Sequence, residues 1–260
     1  MVDVVRLATR ALAEVEVRRK SEKLALSEAI AELDIRNAEA IGFAHRLVLE
    51  ALKHLNLLDA LVEKALENGP SPRELRARTR AFLRILAYRA ALEGASQREL
   101  ISFVRAAREA LGKGCLRPVE AYIGRLMLLK PGDAMEGKSW NEKLALELRV
   151  PPWLLEVLCR ELGRHRALAI LRAFLGQQPS YVRVNTLRGE EEQAIALLEE
   201  EGIKLKPVEG VKYLYEIEEA EKPVVLTRAY AEGLVYPQDK ASCLSVLVAS
   251  PEPGMTVLDV

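Results

Sequence analysis

Aromatic residues make up only 5% of this 260-residue chain, and there are three cysteines and three histidines. Cysteines as far apart as Cys115, Cys159 and Cys243 exclude a disulfide framework, and with scattered histidines they give no zinc signature. No apolar run approaches a membrane span and no segment has the layout of a signal peptide, so a soluble cytoplasmic protein is expected. Net charge is missing too, since 38 Lys and Arg face 38 Asp and Glu. That balance hides an asymmetry: residues 1–150 hold 26 cations against 21 anions, and residues 151–260 hold 12 against 17. A basic front part is compatible with nucleic-acid contact without establishing it. Half of the residues are apolar, which excludes a disordered chain.

What is present in the first 130 residues is helical periodicity. Leu7, Ala11 and Val15 recur at helical spacing, and Leu24 to Leu33 gives a second unit. A long helix is expected from about Asn37 to Leu66, ended by N-G-P-S-P at 68–72. Ser71, Pro72 and Glu74 then have the spacing of a helix start, and Phe82, Leu83, Leu86 and Ala90 fall on one face of that helix. Ser96 and Glu99 repeat the capping spacing ahead of a helix to Leu111, and another helix is expected over about 116–127. Residues 130–139 read as a linker, and two short helices come after it, Trp153 to Leu162 and Arg164 to Phe174.

At Gln177 the pattern changes. Y-V-R-V-N-T, 181–186, alternates as a strand, Glu190 to Glu200 is an acidic helix, and strand-like pieces lie near 204–208, 213–217, 224–226 and 233–236. This is a small α+β module. Asp239 to Val248 is an amphipathic helix, and Pro251 to Gly254 turns into V-L-D-V, which has the look of a first Rossmann strand with Asp259 near its end.

The clearest basic feature is Arg73, Arg76, Arg80 and Arg84, spaced by three and four along one side of a helix, opposite Phe82 and Leu86. Clustered guanidinium groups are relieved by a phosphate backbone, or equally by glutamate partners on an ordinary surface. Cys115 and Cys159 sit among apolar residues and read as packing groups, and Cys243 has no nearby base that would make it a nucleophile. His45 and His54, nine apart in one helix, are too far apart to chelate one ion. No metal site is expected.

Three stretches carry a resemblance: P-S-Y-V-R-V-N-T-L at 179–187, G-L-V-Y-P-Q-D-K-A-S at 233–242, and P-G-M-T-V-L-D-V at 253–260. With them the whole chain resembles the NOL/NOP/Sun family of S-adenosylmethionine-dependent RNA cytosine-5 methyltransferases, in the Sun (Fmu) arrangement with a NusB-like front domain. L-R-I-L-A-Y-R-A-A-L-E-G-A-S-Q-R-E-L-I-S, 83–102, is similar to the NusB-like region; E-A-Y-I-G-R-L, 120–126, departs from the Asn-Ala-Val-Leu-Arg-like stretch often found there.

The resemblance implies a multidomain chain: an all-α NusB-like RNA-binding domain over 1–130, a linker and helical connector over 131–176, a small α+β RNA-recognition-like module over 177–236, and the first helix and strand of a truncated Rossmann-like α/β methyltransferase domain over 237–260. It implies S-adenosyl-L-methionine as cofactor, with Asp259 matching the donor motif, and structured rRNA or tRNA as partner of a monomeric protein. Gln238 and Asp239 match the pair at the active-site approach, where Asp239 is equally a helix cap. Arg183 and Asn185 match the strand motif as RNA contacts, and Asn185 is equally a turn residue. In that family a cysteine thiolate adds to carbon 6 of cytosine, carbon 5 takes the methyl group, and a second cysteine assists release. Neither cysteine position is matched here, so catalysis is expected from residues beyond Val260. The alternative is a non-enzymatic NusB-like RNA-binding or antitermination-type protein. A methyltransferase for DNA or protein fits Y-V-R-V-N and Y-P-Q-D less well. Low aromatic content favours duplex or shape recognition over a stacking platform.

Overall fold

The computed structural model describes residues 1–176 and 178–258. The boundary expected at Gln177, and Asp259 with Val260, lie outside the described residues. The chain forms two compact units, Met1–Leu175 and Gly176–Val260.

The first unit is entirely helical among the described residues: α1 Val2–Arg18, α2 Glu22–Leu33, α3 Ala38–Lys53, α4 Leu55–Ala65, α5 Ala77–Ala91, α6 Gln97–Leu111, α7 Lys113–Leu116, α8 Glu120–Leu126, α9 Trp140–Glu147, α10 Pro152–Leu162 and α11 Arg164–Leu175. Capping fixes many of the starts. Ser21, Asn37, Ser96 and Ser139 each accept a first-turn N–H, and at Ser96 and Ser139 a glutamate three residues on closes a capping box.

The expected single helix over 37–66 is two helices, broken at His54. Neither glycine nor proline marks the break. Asn56 makes it useful, because its side-chain N–H groups reach the carbonyls of Ala145 (3.0 Å) and Val150 (2.8 Å) and tie α4 to the α9–α10 corner. The helix expected to start at Ser71 is a single 3-10 turn over Pro72–Glu74; Leu75 and Arg76 are extended and α5 begins at Ala77. Gly112 ends α6 with a positive φ of 75°, and α7 follows at once. Residues 130–139, expected as a linker, hold a 3-10 turn over Pro131–Met135 with Ala134 buried against the main core.

Helix α5 is the centre of this unit, with α1, α3, α4, α6 and α8 around it. Residues 81–87 are all buried, so it has no outward face there. Phe82 and Phe103 stack inside at 6.1 Å between ring centroids. A smaller core of Leu144, Ala145, Leu148, Leu155 and Leu171 holds α9, α10 and α11 together.

The second unit runs β1 Ser180–Val184, α12 Glu191–Glu200, β2 Ile203–Pro207, β3 Leu214–Ala220, α13 Arg228–Ala231, β4 Val235–Pro237 and α14 Lys240–Ala249. The strands form one antiparallel sheet in the order β2-β3-β1-β4. Residues 224–226, expected as a strand, are a 3-10 turn after Pro223, and Thr227 then caps α13. The chain thus alternates β-α-β-β-α-β, the split arrangement of ferredoxin-like folds. Val182 and Val184 face one side, packing with Ala194 and Leu198 of α12. On the other side Leu214 and Tyr181 pack with Cys243 of α14 and Val211. Of the expected Rossmann strand V-L-D-V, the described Val257 and Leu258 are not strand and are exposed; no Rossmann fold is formed among the described residues. A strand needs neighbours for its N–H and C=O groups, and the four-stranded sheet supplies none there.

Candidate nucleic-acid interface

The arginine row divides in two. Arg73 lies in the 3-10 turn, Arg76 is the residue before α5, and both are exposed. Arg80 and Arg84 lie within α5 and point at carboxylates. Arg84 Nε and Nη2 donate to the two oxygens of Asp59 at 2.5 and 3.1 Å, and its Nη1 donates to Glu16 at 2.7 Å. Arg80 Nε donates to the other Glu16 oxygen at 2.8 Å, and its Nη1 reaches the carbonyl of Leu75. Burial works against the Arg84 charge, but Asp59 and Glu16 outweigh it and hold its pKa above the ordinary guanidinium value. Burial likewise works to raise the Glu16 carboxyl, yet the hydrogen bonds and charges of Arg80 and Arg84 hold it below the ordinary range.

The row is therefore not one solvent-facing side of a helix. Its inner half is a part-buried network joining α1, α4 and α5, whose partners Glu16 and Asp59 are distant in sequence. That network, with Glu63, Pro72 and Arg73, lines an open groove of about 350 Å³, and Arg76 is not part of the lining. Arg89 is inside as well, donating to Glu93 at 2.7 Å with Phe43 and Phe103 beside its guanidinium.

In the sheet, Arg183 of β1 is half-buried and sits opposite Leu214 of β3 and Tyr236 of β4. It shares its face with Tyr181, two residues away along the strand. Asn185 comes directly after β1, and both ends of its side-chain amide are engaged. Its N–H donates to the Gly233 carbonyl at 3.0 Å, and its oxygen accepts from Leu187 N–H at 3.3 Å, which holds the turn. Asp239 accepts from Ala241 N–H as the cap of α14. Gln238 accepts from the thiol of Cys243 at 3.2 Å, and Cys243 is fully buried. Sequence reasoning missed Tyr215, whose hydroxyl donates to Glu191 of α12 at 2.6 Å. Burial and then that carboxylate push its phenol up to about 12.

Residues 150–230 match the family described as "Methyltr_RsmF/B-like, ferredoxin-like domain". That stretch is similar to the ferredoxin-like domain of RsmF/B-type methyltransferases. The strand order β2-β3-β1-β4 is the one such a domain requires, and the match takes in α10 and α11 ahead of it. The resemblance to NOL/NOP/Sun proteins thus holds over this RsmF/B-like region. The crystal structure of PH0851 is similar in fold, with a TM-score of 0.72 at 23% identity, covering 98% of this chain and 56% of that one. The chain spans little more than half the length of that protein. No curated protein matches it in sequence.

The described residues form no site that fits a bound S-adenosylmethionine. Among the described residues no strand and glycine-rich loop come after α14, and the groove of about 570 Å³ at the β2–β3 end is lined by four glutamates, Glu199, Glu218, Glu219 and Glu221, with Lys204 and small or apolar residues between them. Nor do any described His, Cys, Asp and Glu residues cluster as metal ligands. No described helix is long and apolar enough to cross a membrane.

Proposed function

We propose that this chain binds and positions structured RNA, rRNA or tRNA, for an S-adenosylmethionine-dependent RNA cytosine-5 methyltransferase of the cytoplasm. The observation that carries the reading is the RsmF/B-like ferredoxin-like domain over 150–230. In this reading residues 1–130 are a NusB-like RNA-binding domain, 131–176 a connector, 177–236 the RNA-recognition-like module, and 237–260 the opening of the catalytic domain, with Asp259 near the donor. Arg73, Arg76 and Arg183 are the RNA contacts it favours. Arg80 and Arg84 support Arg73 and Arg76 from inside, Asn185 shapes the turn after β1, and Gln238 and Asp239 set the start of α14. Cys243 is buried on Gln238 and remote from any histidine in sequence, which suits packing better than attack on a base. The cysteine adduct is therefore assigned to residues outside this chain.

The match favours this reading over a stand-alone NusB-like protein, whose helices account for none of the sheet. The test is methyl transfer from labelled S-adenosylmethionine to unmodified tRNA and small-subunit rRNA by the full-length protein, with the modified base mapped. Label on carbon 5 of one cytosine is the expected result. RNA binding without incorporation into either RNA overturns the enzymatic reading in favour of the binding protein.

A further inference from the structure

Both tryptophans of the chain are largely in solvent, Trp140 at 55% and Trp153 at 63% exposure. A singly exposed apolar side chain is ordinary. What distinguishes Trp140 is its company. The Arg164 guanidinium lies 4.1 Å from its ring centroid, a cation–π contact between the first residues of α9 and α11. His165 and Arg166 continue that first turn of α11, both exposed, and exposed Lys143 stands one helical turn beyond Trp140.

Among the described residues no carboxylate lies within ion-pair distance of Lys143, Arg164, His165 or Arg166. The acids nearest in sequence are engaged elsewhere. Glu142 closes the capping box on Ser139, with 2.6 Å to its hydroxyl, and Glu161 pairs with Arg160 at 2.9 Å. Helix α11 contains no acidic residue at all, and cations in a first helical turn oppose the helix dipole, so folding gains little from them there.

An open aromatic face backed by a guanidinium and ringed by unpaired cations has a specific chemical complement: a planar base with phosphates on either side. We infer that Trp140 with Arg164, Arg166 and Lys143 is a contact for single-stranded RNA, the indole stacking one unpaired base while the cations hold its flanking phosphates. The inference rests on the RNA-positioning reading and adds to it a site and a class of RNA, unpaired rather than duplex, that low aromatic content argued against.

The test uses intrinsic fluorescence of the whole chain, titrated with a single-stranded oligoadenylate and with an RNA duplex of equal length. In Trp153→Phe the remaining indole is Trp140, and the oligoadenylate quenches it; in Trp140→Phe the remaining Trp153 is unaffected. Trp140→Ala weakens oligoadenylate binding roughly tenfold, whereas Trp140→Phe, which keeps a stacking ring, retains most of the affinity. Neutralising Arg164 and Arg166 to Gln lowers the salt slope of binding by about 1.4, the share of two phosphates on a single strand. Circular dichroism confirms that these surface variants fold. Oligoadenylate binding with Trp140 fluorescence and Trp140→Ala affinity unchanged overturns this site and leaves the RNA-positioning role standing. Equal quenching by the duplex overturns the choice of unpaired RNA. Binding of neither RNA removes both the site and the reading beneath it.

Discussion

Helix α5 holds four arginines in fifteen residues and lies at the centre of the helical unit, while α14 holds a single lysine in ten residues and leaves Leu244, Val246, Leu247 and Val248 exposed. Judged by side-chain hydropathy alone, the two should be exchanged. The difference is in what surrounds each. Around α5, helices α1 and α4 bring Glu16 and Asp59 to meet Arg80 and Arg84, so the guanidinium stems pack among apolar neighbours and the heads are paired. Around α14, the sheet takes up Cys243 and little else. Burial tracks the partners that neighbouring elements supply, not the mean hydropathy of the segment.

The sharpest way to break this contrast is Arg84→Ala. Removing the buried arginine of this part-buried network costs about 2 kcal/mol, below the range for a fully buried pair because Glu16 and Asp59 keep access to water. Urea unfolding monitored by far-ultraviolet circular dichroism measures it, and a loss no larger than that of a surface substitution would mean α5 is not held by its charges.

Glu16→Gln sharpens the same point through pH. The Glu16 carboxyl is held below its ordinary value of 4.5 in the fold, so the unfolded chain takes up its proton first. Its contribution is present above that value and lost as pH falls through the folded one. The variant is therefore less stable than the parent at pH 7, and the gap closes in acid; unfolding curves that stay equally separated from pH 7 to pH 3 contradict the network. The smallest effect belongs to α14. Val248→Gln, at a position 85% exposed, changes stability by less than about 0.5 kcal/mol, read as an unshifted urea midpoint.

Much of the fold was legible where the signal is local. The Ser96 and Glu99 spacing marked the start of α6, and the alternation of Y-V-R-V marked β1. The same capping spacing at Ser139 and Glu142 marks α9, a helix absent from the expected elements between the 130–139 linker and Trp153. The break at His54 was not legible, because Asn56 takes its partners 89 and 94 residues away. The arginine row shows the same limit. Its spacing is local, but Glu16 stands 68 residues from Arg84, and only the fold brings them together. Around the candidate site, the capping role of Asp239 and the turn role of Asn185 were readable from residue type. The pairing of Trp140 with Arg164 was not, since it depends on α9 and α11 meeting at their first residues.

The two edges of the sheet carry a further consequence. A strand edge is a template on which a foreign strand can grow. Here β4 offers three residues and ends at Pro237, which has no N–H to donate, while β2 carries Lys204 and Lys206 and ends at Pro207. Neither edge offers a long apolar row of free amides, so a sheet left open in topology is nonetheless guarded against extension, and the chain is spared strand-to-strand polymerisation with its own copies.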